Sequence, residues 1–162
     1  MSFDPIAVLG ALARNRVEYL VIGGVAATLH GSPLTTGDLD ICPADAPANL
    51  DRLAKALAEV GARIRTAGEP DGVALPVDGA LLGQADTWNL TTRHGPVDLV
   101  FSPVGTFGYD DLKRDAVTFR IDDLDVPTAS LGDVIRSKEA AGRERDRAAL
   151  PTLRRLLEGL RG

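Results

Sequence analysis

The chain has 162 residues, of which 44% are hydrophobic and 25% are charged, and its formal net charge is −5. These values are typical of one globular domain that buries a core of its own. No apolar run is long enough to span a membrane, and the single cysteine, Cys42, excludes an internal disulfide and a zinc site built from cysteines. The first residues lack a basic segment ahead of an apolar stretch, which favours a cytoplasmic protein.

The pattern of apolar residues predicts an α+β fold, with a mixed β-sheet flanked by helices and a helical C-terminal segment. Pro151 predicts a kink or a new helix start inside the last helix, and residues 67–86 predict a loop that holds a short element around residues 73–75. The predicted helices lie near residues 5–16, 25–30, 48–60, 109–115, 130–141 and 143–160. The predicted strands lie near residues 19–22, 38–41, 62–66, 87–92, 97–101, 117–121 and 124–127.

Residues 21–41 form the most informative segment, because they combine a strand, a glycine turn, a short helix and a strand with two aspartates. Side chains alternate along a strand, so Asp38 and Asp40 share one face while Leu39 and Ile41 pack on the other. Two carboxylates about 7 Å apart along a strand repel each other unless a cation offsets their charge. Mg²⁺ prefers oxygen ligands and is often held by one or two carboxylates together with substrate phosphates.

Gly23 and Gly24 supply the second half of such a site. Without side chains, the backbone can approach a phosphate closely, and the helix that follows presents free N–H groups. Either motif alone is a weak signal, because a Gly-Gly pair is usually a turn and an Asp-x-Asp pair is usually a solvated strand. Their order, with 13 residues between Gly24 and Asp38, is a much stronger joint signal.

This segment resembles the signature of the DNA-polymerase-β-type nucleotidyltransferase superfamily, in which a strand and a Gly-Gly or Gly-Ser turn precede an Asp-x-Asp strand. The His-Gly-Ser run at residues 30–32 and the Thr-Gly pair at 36–37 make it similar to the AbiEii-like branch, which includes toxins of toxin–antitoxin pairs. The resemblance is strong over residues 19–43. It implies a single nucleotidyltransferase-like domain, with a core at about 17–128 and C-terminal helices at about 130–161.

The resemblance also implies a third carboxylate on a neighbouring strand. Asp98 is the best candidate, because it is a lone acid in an otherwise apolar strand, whereas Asp86 lies in a segment typical of a loop. The alternative interpretation of Asp98 is an outward-facing residue on a half-exposed strand. In this family the three acids would be the catalytic and metal-binding residues, so the hypothesis assigns Asp38, Asp40 and Asp98 to two Mg²⁺ ions.

The C-terminal segment is similar to the part of these proteins that covers the nucleotide. Residues 136–162 hold 8 basic and 4 acidic side chains, whereas the residues before them hold 10 basic and 19 acidic ones. The resemblance implies that Lys138 and Arg143 bind the triphosphate, together with Gly23 and Gly24, and that Asp146 orients a cation or assists the acceptor. The alternative is a solvated helix in which Arg143 and Asp146 form a surface pair.

The function implied is transfer of NMP from an NTP to an acceptor, which would be RNA, protein or a small molecule, with release of pyrophosphate. The resemblance also implies a setting, a toxin held in check by a cognate antitoxin. The alternative is an inactive protein of the same fold that binds a nucleotide or a partner. Leu34 motivates it, because relatives often have a basic or aromatic residue there and leucine offers no charge to a phosphate.

Overall fold

The computed structural model describes residues 2–74 and 78–161 as alternating strands and helices. The strands are β1 (Tyr19–Ile22), β2 (Leu39–Pro43), β3 (Arg63–Thr66), β4 (Glu69–Ala74), β5 (Thr87–Thr92), β6 (Gly95–Val100), β7 (Val117–Ile121) and β8 (Leu124–Thr128). The helices are α1 (Pro5–Arg14), α2 (Gly23–Leu29), α3 (Pro47–Glu59), α4 (Gly79–Leu82), α5 (Tyr109–Lys113), α6 (Leu131–Ala141) and α7 (Glu144–Arg161). This confirms the predicted α+β fold class.

All the strands belong to an 8-stranded sheet in the order β4-β3-β5-β6-β2-β1-β8-β7. Three hairpins, β3–β4, β5–β6 and β7–β8, are joined around the central antiparallel pair of β1 and β2. The contacts of β2 with β6 and of β1 with β8 are parallel, so the sheet is mixed as predicted. Strands that are distant in sequence therefore meet at the centre of the sheet.

The two faces of the central strands have different surroundings. Val21, Leu39 and Ile41 are fully buried in the main hydrophobic core, which also contains residues of α1 and α3. Leu20 and Cys42 alternate with them and pack against Leu112 of α5 on the opposite face. Asp40 lies on this second face, between the core residues Leu39 and Ile41.

The predicted loop at residues 67–86 is wrong in part, because it contains β4 and α4. Strand β4 has no regular alternation of apolar and polar residues, so its sequence does not predict a strand. It forms because it pairs with β3, where Val73 lies opposite Ile64. The predicted short element around residues 73–75 overlaps the end of β4, and residue 75 lies outside the described residues. Helix α4 has only 4 residues and begins where the Asp78 side chain accepts a hydrogen bond from the Ala80 N–H at 2.9 Å.

Helix α7 continues through Pro151 for 18 residues, so the proline does not begin a new helix. Leu150 and Leu153 on either side of it are buried in the main core, and this packing holds both halves of the helix against α6 and the sheet. Over the part of the chain that the structure describes, no helix has the combination of length and hydropathy that would let it cross a membrane.

The buried Asn49 gives a test of the packing between α3 and the central strands. Its Oδ1 accepts from the Glu18 N–H at 2.7 Å, and its Nδ2 donates to the Ala44 carbonyl at 2.7 Å. We expect Asn49→Ala to lower the free energy of unfolding by about 2–4 kcal/mol, because it leaves the Glu18 N–H and the Ala44 carbonyl without their hydrogen-bond partner. Urea denaturation measures this, and Lys55→Ala on the exposed side of the same helix is the control. Equal losses in both variants would contradict the interpretation.

Candidate active site

Three carboxylates meet at the second face of the sheet. Asp38 directly precedes β2, Asp40 lies within it, and the parallel register pairs Asp40 with Asp98 of β6. Each contributes a carboxylate oxygen, and these oxygens all lie within 4.8 Å of one another. Asp98 therefore points to the same side as the Asp-x-Asp pair, and its alternative interpretation as an outward-facing residue is wrong because its side chain is mostly buried.

The electrostatics of this group favour a cation. Burial, together with repulsion from Asp38, raises the pKa of Asp40 to about 8, so Asp40 retains a proton at neutral pH when no cation is bound. Burial also raises the pKa of Asp98, although the positive charge of Arg65 opposes the rise. An oxygen-only ligand set with this mutual repulsion fits a hard divalent cation such as Mg²⁺, which would take the place of the proton.

The glycine turn packs directly against the acids. Gly23 has a φ of +66°, and a Cβ at this position would collide with the Asp40 carboxylate. A Cβ on Gly24 would lie 2.7 Å from the Thr36 Oγ1. Helix α2 begins at Gly23, two residues before the predicted start, so both glycines form its first turn. Close contact with the acids is a reason for glycine here that the sequence pattern did not reveal.

Two side chains that the sequence pattern did not single out as essential hold the acids in place. The Thr36 hydroxyl donates to the Asp38 backbone carbonyl at 3.2 Å. Arg65 Nη2, on β3, donates to Asp98 Oδ1 at 2.6 Å and forms an ion pair with it. Thr36 lies in a segment rich in turn-forming residues, which obscures its role. No local signal distinguishes Arg65 from other strand arginines, so the sequence alone could not identify Arg65 as a partner of Asp98.

Two basic side chains, Lys138 and Arg143, face the same cavity from the C-terminal segment. Asp146 is 1% exposed and binds Arg143, with 2.7 Å between Arg143 Nε and Asp146 Oδ2. Its other oxygen lies 3.7 Å from Lys138 Nζ. Gly142 ends α6 with a φ of 61° and turns the chain so that this contact forms. Arg143 and Asp146 do form the pair that the alternative predicts, but Asp146 is buried and does not lie on the surface.

One cavity of about 930 Å³ is lined by the three carboxylates, the glycine turn and the two basic side chains. This volume is within the range of small-molecule and cofactor sites, about 300–1,000 Å³. Leu34 lies at the rim and is 42% exposed, while Asn89 lines the cavity beside Asp98. The remaining walls are largely apolar and include Val100, Pro103, Val104, Leu112, Val134 and Leu153.

His30 has a structural position near this cavity. Its Nε2 lies 2.8 Å from the Ala129 carbonyl, and its ring packs edge-to-face against Phe119 with 5.0 Å between centroids. Asp86 contributes a backbone carbonyl that accepts from the Phe101 N–H at 2.8 Å. These contacts tie loops to the sheet, and the carboxylate group is formed by Asp38, Asp40 and Asp98.

Solved structures of other proteins are similar to this one, among them two with descriptive names. LnuA, a lincosamide antibiotic adenylyltransferase crystallised with lincomycin bound, matches with a TM-score of 0.63 and 14% sequence identity, over 96% of this chain and 99% of that chain. A Thermotoga maritima protein described as a candidate nucleotidyltransferase matches with a TM-score of 0.59 and 16% identity, over 96% and 91%. No family model and no curated protein matches the chain. The chain therefore has the fold of nucleotidyltransferases.

The contact between Gly23 and Asp40 predicts that Gly23→Ala destabilises the protein. The left-handed φ disfavours alanine, and the added methyl group displaces the Asp40 carboxylate. We expect a loss of about 1–3 kcal/mol, measured by thermal or urea unfolding. Gly37→Ala is the matched control, because nothing lies within 4 Å of the added methyl group. A Gly23→Ala variant as stable as Gly37→Ala would show that the contact does not matter.

The raised pKa of Asp40 predicts that the ion-free protein loses stability as pH rises. Between the usual value of 3.8 and about 8, the folded chain binds more protons than the unfolded chain, so its stability falls across this window. At pH 8 we expect Asp40→Asn to be more stable than wild type by about 2 kcal/mol, or roughly 4–8 °C in Tm. This is less than the whole pKa shift would give, because solvent in the open cleft screens the charge of Asp40.

Thermal unfolding with a chelator at pH 5 and pH 8 measures this difference. The advantage of Asp40→Asn should shrink at the lower pH, where wild-type Asp40 is protonated in the folded chain. The same advantage at both pH values would show that the substitution stabilises the chain for another reason.

Proposed function

We propose that the chain is a single nucleotidyltransferase domain that transfers NMP from an NTP to an acceptor hydroxyl or phosphate and releases pyrophosphate. The observation that carries the proposal is the meeting of Asp38, Asp40 and Asp98 within 4.8 Å at one cavity. The fold shared with two nucleotidyltransferase structures supports it. So does the resemblance of residues 19–43 to the AbiEii-like signature.

In this proposal Asp38, Asp40 and Asp98 are the catalytic carboxylates and hold Mg²⁺. When bound, the divalent ions offset charge at the reacting phosphate and lower the pKa of the attacking hydroxyl. The raised pKa of Asp40 supports the fit, because the site without a cation has too much negative charge for its burial. Thr36 fixes the backbone at Asp38, and Arg65 orients the Asp98 carboxylate.

Lys138 and Arg143 are proposed to bind the triphosphate from the opposite wall of the cavity. Lys138 is a compact point charge, and the Arg143 guanidinium can bind two phosphate oxygens at once. Because Asp146 already holds both side chains in place, they lose little freedom when the nucleotide binds. The turn at Gly23 and Gly24 is proposed to approach the phosphates with its backbone N–H groups.

The acceptor and the biological setting are also proposals. The excess of basic residues after residue 135 favours a polyanionic acceptor such as RNA, with a protein acceptor as a second class. The AbiEii-like resemblance favours a toxin that a cognate antitoxin inhibits. LnuA, by its name, modifies a small antibiotic, so a small-molecule acceptor is the competing candidate. An enzyme that uses ATP or another NTP would act in the cytoplasm, where these nucleotides are made.

The second candidate function is nucleotide or partner binding without catalysis. The exposed Leu34 at the cavity rim favours it, because leucine offers no charge to a phosphate at a position where the resemblance implies that a basic or aromatic residue is common. Calorimetry with Mg²⁺ and each NTP separates the two functions. Tight binding without turnover supports the binding protein, whereas release of pyrophosphate supports the transferase.

The transferase proposal predicts that Asp38→Asn abolishes transfer. Wild type, Asp38→Asn and Asp45→Asn are incubated with Mg²⁺ and each α-labelled NTP, using bulk RNA, bulk protein and a panel of hydroxylated small molecules as acceptors. We expect Asp38→Asn to lower transfer at least roughly 100-fold, because it removes a carboxylate that would hold Mg²⁺. Asp45 is an exposed aspartate beyond the end of β2, so its variant should match wild type. Equal transfer by Asp38→Asn and wild type would remove the assignment.

A further inference from the structure

Arg65 reaches the carboxylates from a strand that does not border theirs. In the sheet order, β5 lies between β3 and β6, yet Arg65 Nη2 contacts Asp98 Oδ1 at 2.6 Å. The guanidinium is anchored on its way, because Nη1 donates to the Leu90 carbonyl of β5 at 3.2 Å. The Asp98 side chain is 13% exposed and the Arg65 side chain 39% exposed, so this ion pair is partly shielded from solvent.

The backbone around Arg65 is irregular in a way that favours this contact. The register between β3 and β4 shifts between Ile64 and Thr66, at the position of Arg65. Gly72 has a φ of +75° there, and a Cβ on it would lie 2.8 Å from the Ile64 carbonyl. Arg63 donates to the Asp71 carbonyl at 2.8 Å and supports the displaced backbone. Bulges of this kind redirect side chains and are common beside active sites.

The ion pair changes the charge that the acids present to a metal. Arg65 already binds one oxygen of Asp98 and neutralises that carboxylate. Asp38 and Asp40 have no ion pair of this kind among the described residues, since Lys138 and Arg143 pair with Asp146. The two ends of the carboxylate group are therefore unequal, because Asp98 has a cationic side chain in direct contact and Asp38 and Asp40 have none among the described residues.

We propose that Arg65 is a positioning residue that acts as a permanent counter-charge on Asp98, so that one divalent cation binds tightly, at Asp38 and Asp40. A second ion at Asp98 then binds with the nucleotide, whose phosphates supply the missing negative charge. This inference rests on the proposed function and refines its expectation of two ions. Its physical basis is that a guanidinium in contact with a carboxylate opposes a second cation at the same group.

The test is Mn²⁺ binding to the nucleotide-free protein. Calorimetry measures the affinity and the number of bound ions, and electron paramagnetic resonance measures the ion that stays free. We expect wild type to bind one ion tightly. Arg65→Gln should bind Mn²⁺ more tightly by roughly tenfold and take up a second ion, because one positive charge in contact with Asp98 has been removed. Arg65→Lys keeps the charge and should remain close to wild type. Arg120→Gln is the matched control, since it removes the same charge from an exposed arginine–aspartate pair, with Asp125, that does not touch the acids.

Asp98→Asn supplies an independent arm that leaves Arg65 in place. We expect it to keep the tight ion within a few fold, because Asp98 contributes little free charge, whereas Asp40→Asn should lose that ion. Unchanged Mn²⁺ binding in Arg65→Gln, or loss of the tight ion in Asp98→Asn, overturns the inference and leaves the proposed function standing. If wild type binds no Mn²⁺ with or without NTP, the proposed function fails as well. Circular dichroism confirms that each variant is folded.

Discussion

Repulsion among three carboxylates is the constraint on which the site depends. Asp38, Asp40 and Asp98 present oxygens within 4.8 Å of one another at the inner end of a cleft, where burial makes their charges costly. The Arg65 guanidinium limits this cost at Asp98, and the raised pKa of Asp40 keeps that carboxyl protonated when no cation is bound. Such a group lowers the stability of the chain, and the proposed binding of a divalent ion gives a functional reason for it.

The hydrophobic core on the other face of the sheet keeps the acids together. Leu39 and Ile41 are completely buried, and the parallel register places them beside Val97 and Leu99 of β6. A shift of one residue between these strands would move Asp98 to the core face and a leucine or valine to the cleft. The register of β2 and β6 is therefore fixed by apolar packing, and the geometry of the carboxylates follows from it.

The opposite wall of the cavity depends on a buried ion pair. Asp146 of α7 is almost inaccessible to solvent, and it pairs with Lys138 of α6 and with Arg143 in the turn between the two helices. A buried carboxylate requires such partners, so the helices α6 and α7 are joined at the point where they face the acids.

Local patterns in the sequence determined most of the secondary structure, the glycine turn and the Asp-x-Asp pair, because these depend on residues close together in the chain. Asp98 could be proposed as well, since a lone acid in an apolar strand departs from the local pattern. The contact of Arg65 with Asp98 could not, because it depends on the pairing of β3, β5 and β6 and on an irregular register beside β4. The burial of Asp146 and the continuity of α7 through Pro151 likewise arise from packing between distant segments, which only the tertiary structure decides.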